Sequence, residues 1–73
     1  MSNFALRLQE CRQQKNQTQK EAAEALGFSE RVWRSYESGN RTPTFQGLLK
    51  LADYFGVSLD YLVGRADKTE INR

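Results

Sequence analysis

The chain predicts an all-α domain of five short helices, and three features of the sequence carry that expectation. Apolar residues recur at three- and four-residue intervals and do not alternate, so no strand pattern emerges. Ser, Thr or Asn residues stand just ahead of the apolar stretches, where the first helical N–H groups need acceptors. Glycines 27, 39, 56 and 64 stand just after them, where a helix ends most easily in a left-handed turn.

The first helix is expected from about Asn3 to Lys15, with Phe4, Leu8 and Cys11 at i, i+4 and i+7 forming one apolar stripe and Asn16 as a left-handed terminator. Thr18-Gln19-Lys20-Glu21 is a capping box: the Thr18 hydroxyl accepts from the helix start and the Glu21 carboxylate reaches back. The second helix carries Ala22, Ala23, Ala25 and Leu26 and stops at Gly27. Only Phe28 separates that glycine from Ser29, which caps a third helix over Glu30 to Ser38. A polar loop, Gly39-Asn40-Arg41-Thr42-Pro43, leads to Thr44, cap of a fourth helix whose Phe45, Leu48, Leu49, Ala52 and Phe55 keep a helical period until Gly56. Ser58 caps a short fifth helix with Leu59 and Leu62, closed by Gly64. The expected organisation is one domain over residues 1–64 and a polar C-terminal tail over 65–73.

A chain of 73 residues has a thin core, and the usual reinforcements are missing. The single Cys11 allows no internal disulfide, and one Cys without His allows no zinc site. No metal and no cofactor are expected. Without histidine, triad hydrolysis and imidazole base catalysis are excluded, so no enzyme is expected. The dispersed glycines form no phosphate loop. No apolar run is long enough for a membrane span, and Met1-Ser2-Asn3 lacks a signal-peptide pattern. A cytoplasmic binding protein is the expectation, without a small-molecule ligand site. The net charge of +2 and pI near 8.9 lean mildly towards an anionic partner.

Helix, Gly, two residues, helix is the punctuation of a helix-turn-helix. The third helix has two faces suited to it. With Glu30 as zero and about 100° per residue, Arg34 falls at about 40°, Arg31 at about 100° and Ser35 at about 140°. Val32, Tyr36 and Trp33 fall between about 200° and about 300° on the opposite arc. The polar arc is rich in guanidinium, whose fork bonds guanine O6 and N7 together or grips phosphate. Glu30 could accept from a cytosine amine, and Ser35 is short enough to let the helix approach. A solvated amphipathic helix would show a similar face, but the glycine turn and the capping box agree with the recognition reading.

From Phe4 to Gly64 the chain resembles the phage repressor and Cro (XRE) family of helix-turn-helix DNA-binding domains. The resemblance rests on Arg7-Leu8 and Cys11-Arg12, on Thr18-Gln19-Lys20-Glu21-Ala22-Ala23, on Tyr36-Glu37-Ser38-Gly39-Asn40-Arg41-Thr42-Pro43, and on Leu51 through Leu62. It implies a compact lambda-repressor-like five-helix bundle with its helix-turn-helix at helices two and three. It also implies a sequence-specific regulator of transcription, most simply a repressor, that binds a double-stranded operator as a dimer. By matching positions, Glu30, Arg31, Arg34 and Ser35 would face the major groove. Thr18, Gln19, Lys20, Asn40, Arg41, Thr42 and Thr44 would lie along the phosphates, and Arg12 and Glu37 would pair helix one with helix three. The alternative from another class is a helical protein-interaction module, such as an antitoxin-like protein whose main partner is another protein.

Three positions depart from the family pattern: Gln17 where Leu is usual, Ala22 where a larger aliphatic is common, and Trp33 in place of Ile or Val. A ring at 33 could fill the volume lost at 22, with its indole N–H needing a partner; the rival view puts Trp33 on the DNA surface. Cys11, on the apolar stripe, reads as a small buried hydrophobe and not as a redox centre. Tyr54, Phe55 and Tyr61 read as core or subunit contacts, not as a stacking platform. Val57, Leu59 and Val63 exceed what so thin a core can bury and are the expected source of a homodimer face, formed in solution or only on DNA.

Overall fold

The computed structural model describes residues 3–65; Met1, Ser2 and the expected tail beyond Arg65 lie outside the described residues. It contains five helices: α1 (Phe4–Gln14), α2 (Gln19–Leu26), α3 (Glu30–Glu37), α4 (Phe45–Phe55) and α5 (Leu59–Leu62). No strand occurs among the described residues. Local chemistry sets the boundaries. Thr18, Ser29, Thr44 and Ser58 each accept a hydrogen bond from the backbone N–H three residues on, so four of the five helix starts carry a hydroxyl cap. The Thr18–Glu21 capping box is complete in both directions. Asn16 takes the left-handed conformation after α1, at φ 55°. Gly27 does so after α2, at φ 77°, turning the chain within three residues into α3 where a side chain would be strained.

The core runs through the middle of the bundle: Phe4, Leu8 and Cys11 from α1, Ala22, Ala23 and Leu26 from α2, Trp33 from α3, Leu51 and Ala52 from α4, then Val57 and Leu62. Trp33 is fully buried, which rules out the view that it lies on the DNA surface. It shares the core with the fully buried Ala22, in keeping with a large ring serving where a small side chain stands. A file of aromatic contacts crosses the bundle: Phe4 to Tyr36, Tyr36 to Phe28, Phe28 to Trp33, Trp33 to Phe55 and Phe55 to Tyr54, at centroid separations of 5.0–6.4 Å. Phe28, the one residue between the turn glycine and the α3 cap, thus anchors the turn, and the Lys50 ammonium lies 5.5 Å above its ring. Cys11 is buried beside them; desolvation, then the Glu10 carboxylate, push its thiol pKa up, with Arg7 opposing.

One expectation about the apolar surface is corrected. Val57 belongs to the core and is not surplus, whereas Leu59 and Val63 are half-buried and stand outside the group packed on the core. On α4 the inward face is Leu48, Leu51, Ala52 and Phe55, spaced i, i+3, i+4, i+7, which leaves Phe45 and Leu49 on the outside at 64% and 39% exposure. The period of α4 has more apolar residues than one face can hold, and the core takes the stripe that includes Leu51. Pro43, expected only as a loop residue, is buried.

Gln17 solves its departure from the family pattern only in part. Its amide donates to the Tyr54 hydroxyl at 2.7 Å, while Oε1 is buried without a partner. A bare buried acceptor costs about 1–3 kcal/mol, more than the net worth of the one hydrogen bond to the half-buried Tyr54. Gln17→Leu should therefore stabilise the domain by about 1 kcal/mol, raising the melting temperature by roughly 4–8 °C. A thermal melt showing a lower midpoint for Gln17→Leu would mean that the amide is better satisfied than its surroundings indicate.

Candidate nucleic-acid interface

The site is organised behind its surface by one carboxylate. Glu37, the last residue of α3, has a side chain only 4% exposed and accepts four hydrogen bonds. Arg12 of α1 grips it with both donors of one guanidinium edge, Nε to Oε2 at 2.6 Å and Nη2 to Oε1 at 3.1 Å. The Trp33 indole donates to Oε2 at 2.6 Å, and Gln19 Nε2, from the first residue of α2, donates to Oε1 at 3.0 Å. Arg12 is also held by the Gln17 carbonyl through Nη1, and Gln9 donates to the Glu37 backbone carbonyl. Burial pushes the Glu37 carboxyl pKa up. The hydrogen bonds from Arg12, Gln19 and Trp33, with the charge of Arg12, outweigh it and hold the group below the ordinary glutamate value.

With α3 fixed from behind, its outer side carries the expected reading residues. Arg31 is exposed and has no hydrogen-bond or ion-pair partner among the described residues. It shares a surface depression with Val32, Ser35, Asn40 and Arg41, so the structure brings two of the expected base readers beside two of the expected backbone residues. The loop is tied to α3 there, since Arg41 N–H donates to the Ser35 carbonyl at 3.1 Å. Ser35 donates its hydroxyl to the Val32 carbonyl at 2.6 Å, leaving its lone pairs outward. Thr42 is exposed on the far side of the loop, near Phe4, Ala5 and Leu6.

Glu30 and Arg34 lie apart from that depression and bond to one another, Nη2 to Oε2 at 2.7 Å. Thr18 and Thr44 are exposed at the starts of α2 and α4; each uses its oxygen as a cap and keeps its O–H as a donor. Together with the unsatisfied first-turn N–H groups, these helix starts suit an anion. Lys20 is exposed beside Thr18. Gln19 alone among the expected backbone residues turns its amide inward, to Glu37 and Arg34. That inward role was not visible in the residue order, because it depends on α2 starting beside the end of α3.

Residues 8–62 match the helix-turn-helix family. The chain belongs to that family. The helix-turn-helix is α2, the Gly27-Phe28-Ser29 turn and α3. Similar proteins include the HTH-type transcriptional regulator ImmR of Bacillus subtilis (strain 168), 42% identical over 90% of this chain and 52% of its own length. The cryptic phage CTXphi transcriptional repressor RstR of Vibrio cholerae serotype O1 is 41% identical over 81% of this chain and 53% of its own length. A crystal structure of a transcriptional regulator from Listeria innocua superposes with a TM-score of 0.82 at 32% identity, over 90% of this chain and 62% of that one. The chain thus spans about half the length of the curated relatives it matches. No helix among the described residues is long and apolar enough to cross a membrane.

Removing one partner of a desolvated pair strands the other, so Glu37→Ala should lower stability by about 3–5 kcal/mol, read as a clear fall in melting temperature. The pH dependence has a definite sign. A carboxyl whose pKa is depressed on folding contributes stability above its unfolded value, about 4.3, and loses it as pH falls towards and through the lower native value. The stability difference between wild type and Glu37→Gln should be flat from about pH 7 down to about pH 5, then shrink in more acid solution. Melts in which that difference stays constant throughout would contradict the depressed carboxyl.

Proposed function

We propose that this chain is a sequence-specific, double-stranded DNA-binding regulator of transcription, acting as a repressor in the cytoplasm and reading the major groove with α3. The observation that carries the reading is the outer surface of α3. There an unpartnered Arg31 stands beside Ser35, Asn40 and Arg41, on a helix whose opposite face is locked into the core. Arginine suits base edges because its fork matches guanine O6 and N7. Asn40, Arg41 and Thr42, with Thr18, Lys20 and Thr44 at two helix starts, supply donors for phosphates on either side. The relatives, a phage repressor among them, agree with this reading.

The protein acts as a two-fold dimer on an imperfect palindrome. One helix reads only a few base pairs, too few for regulatory specificity against a genome of competing sites. Two modules on a dyad read half-sites about 34 Å apart. Phe45 and Leu49, one turn apart on the outer face of the helix that starts after Thr44, are assigned to the contact with the second copy.

Selection of bound sequences from a random DNA pool, with gel shifts on the selected site, tests the reading. Arg41→Ala should weaken every sequence alike and reduce the salt slope by about one unit, since phosphates carry no sequence. Arg31→Ala should instead relax preference at one base pair, by about 1–3 kcal/mol. Sedimentation of the complex should show two chains per operator, and Phe45→Ser should weaken assembly without altering half-site preference. One chain bound tightly to a site without inverted repeats would overturn the dimer, and no enriched sequence at all would overturn the function.

A further inference from the structure

Glu30 and Arg34 lie on the polar arc of α3, and the residue order offers them as two independent readers. The structure binds them into one unit. The Arg34 side chain is 64% exposed, yet its guanidinium is not free: Nη2 donates to Glu30 Oε2 at 2.7 Å, and Nε makes a longer contact to Gln19 Oε1 at 3.4 Å. Gln19 is itself anchored through Nε2 to the buried Glu37. A continuous file of contacts therefore runs from the buried carboxylate through Gln19 to Arg34.

Which donors are used matters. Nε and Nη2 form one edge of a guanidinium, the edge by which Arg12 grips Glu37. Glu30 and Gln19 occupy that same edge on Arg34, while Nη1 has no partner among the described residues. What remains outward is the end formed by Nη1 and the second hydrogen of Nη2, and this end can donate two parallel bonds to O6 and N7 of a guanine. An unpaired carboxylate at the start of a groove-facing helix would repel the phosphates; paired with Arg34, Glu30 does not. The pairing also removes rotamer freedom that a long side chain would otherwise lose on docking.

We propose that Glu30 and Gln19 are positioning residues that hold one edge of the Arg34 guanidinium, so that its free end reads a guanine while Glu30 reads no base. The inference rests on α3 being the groove helix, and the test separates the two. On the site selected by the wild-type protein, every base pair is substituted in turn, and affinities are measured for Arg34→Ala, Arg31→Ala, Glu30→Ala, Glu30→Gln, Gln19→Ala and the double variant Glu30→Ala with Arg34→Ala.

Arg34→Ala should lose preference at one G·C pair by on the order of tenfold. Glu30→Ala should flatten preference at that same pair by a few-fold and nowhere else, Gln19→Ala should do so more weakly, and the double variant should lose no more than Arg34→Ala. Glu30→Gln keeps an acceptor oxygen and should retain most of the preference. Glu30 is at an exposed first turn, so melts of its variants should stay near wild type and keep the comparison clean.

Three outcomes would overturn the inference. Glu30→Ala relaxing a different base pair would make Glu30 a reader in its own right. Glu30→Ala strengthening binding to all sequences alike would make it only a repulsive charge. Gln19→Ala weakening all sequences alike, with the salt slope unchanged, would make Gln19 a neutral phosphate contact. A silent Arg34→Ala overturns it too: α3 then remains the groove helix if Arg31→Ala relaxes one pair, and the assignment of α3 to the groove fails, though DNA binding does not, if neither arginine matters.

Discussion

The Glu37 carboxylate is the point at which α1, α2 and α3 are made one body. An anion taken out of water is unfavourable by several kcal/mol unless its lone pairs are filled, and here two oxygens receive four donors from three helices. Each donor fixes a different relation. Arg12 fixes the distance from α1 to the end of α3; Gln19 ties the first residue of α2 to the last residue of α3, closing the helix-turn-helix at the end away from Gly27. Trp33, one turn earlier on α3 itself, locks the indole that fills the core, so a polar network and the apolar packing share an atom. Removing any one donor leaves the others to hold a charge they only partly satisfy, which is why such networks are rigid when complete.

The aromatic file supplies what the carboxylate cannot. Hydrogen bonds set register, but a 73-residue chain needs buried area, and large rings deliver more of it per residue than aliphatic side chains. Seven of the eight aromatic residues take part in ring–ring or ring–cation contacts, Tyr61 through the Arg7 guanidinium 4.1 Å from its ring. Phe45 is the remaining one, and its exposure is in that company an anomaly of placement, not of composition.

The helices were legible because their punctuation is local. Thr18, Ser29, Thr44 and Ser58 each cap the next helix by bonding three residues ahead, an interaction that the order of residues displays directly. The separation of α3 into a dry and a polar arc was legible for the same reason. The α4 face was not: Phe45, Leu48, Leu49, Leu51, Ala52 and Phe55 satisfy more than one helical stripe, and the choice between stripes is made by α5 and the core, not by α4. Val57 likewise looked surplus because burial is decided by residues distant in sequence. The inward turn of the Gln19 amide, and the joining of Glu30 to Arg34, lay beyond the sequence for a related reason: an arc on a helical wheel shows which groups are near, not which hydrogen-bond donors they have already used.

The buried Cys11 gives the molecule a property unrelated to DNA. Thiol reagents attack the thiolate, and Cys11 is both shielded by α1 packing and kept protonated by its surroundings. Alkylation must then pass through molecules that have transiently opened, so its rate tracks the population of open chains. With one cysteine in the sequence, the signal comes from a single place in the fold. The chain therefore carries its own gauge of opening, one that a slowly reacting label reads under native conditions, without denaturant, and with operator present or absent.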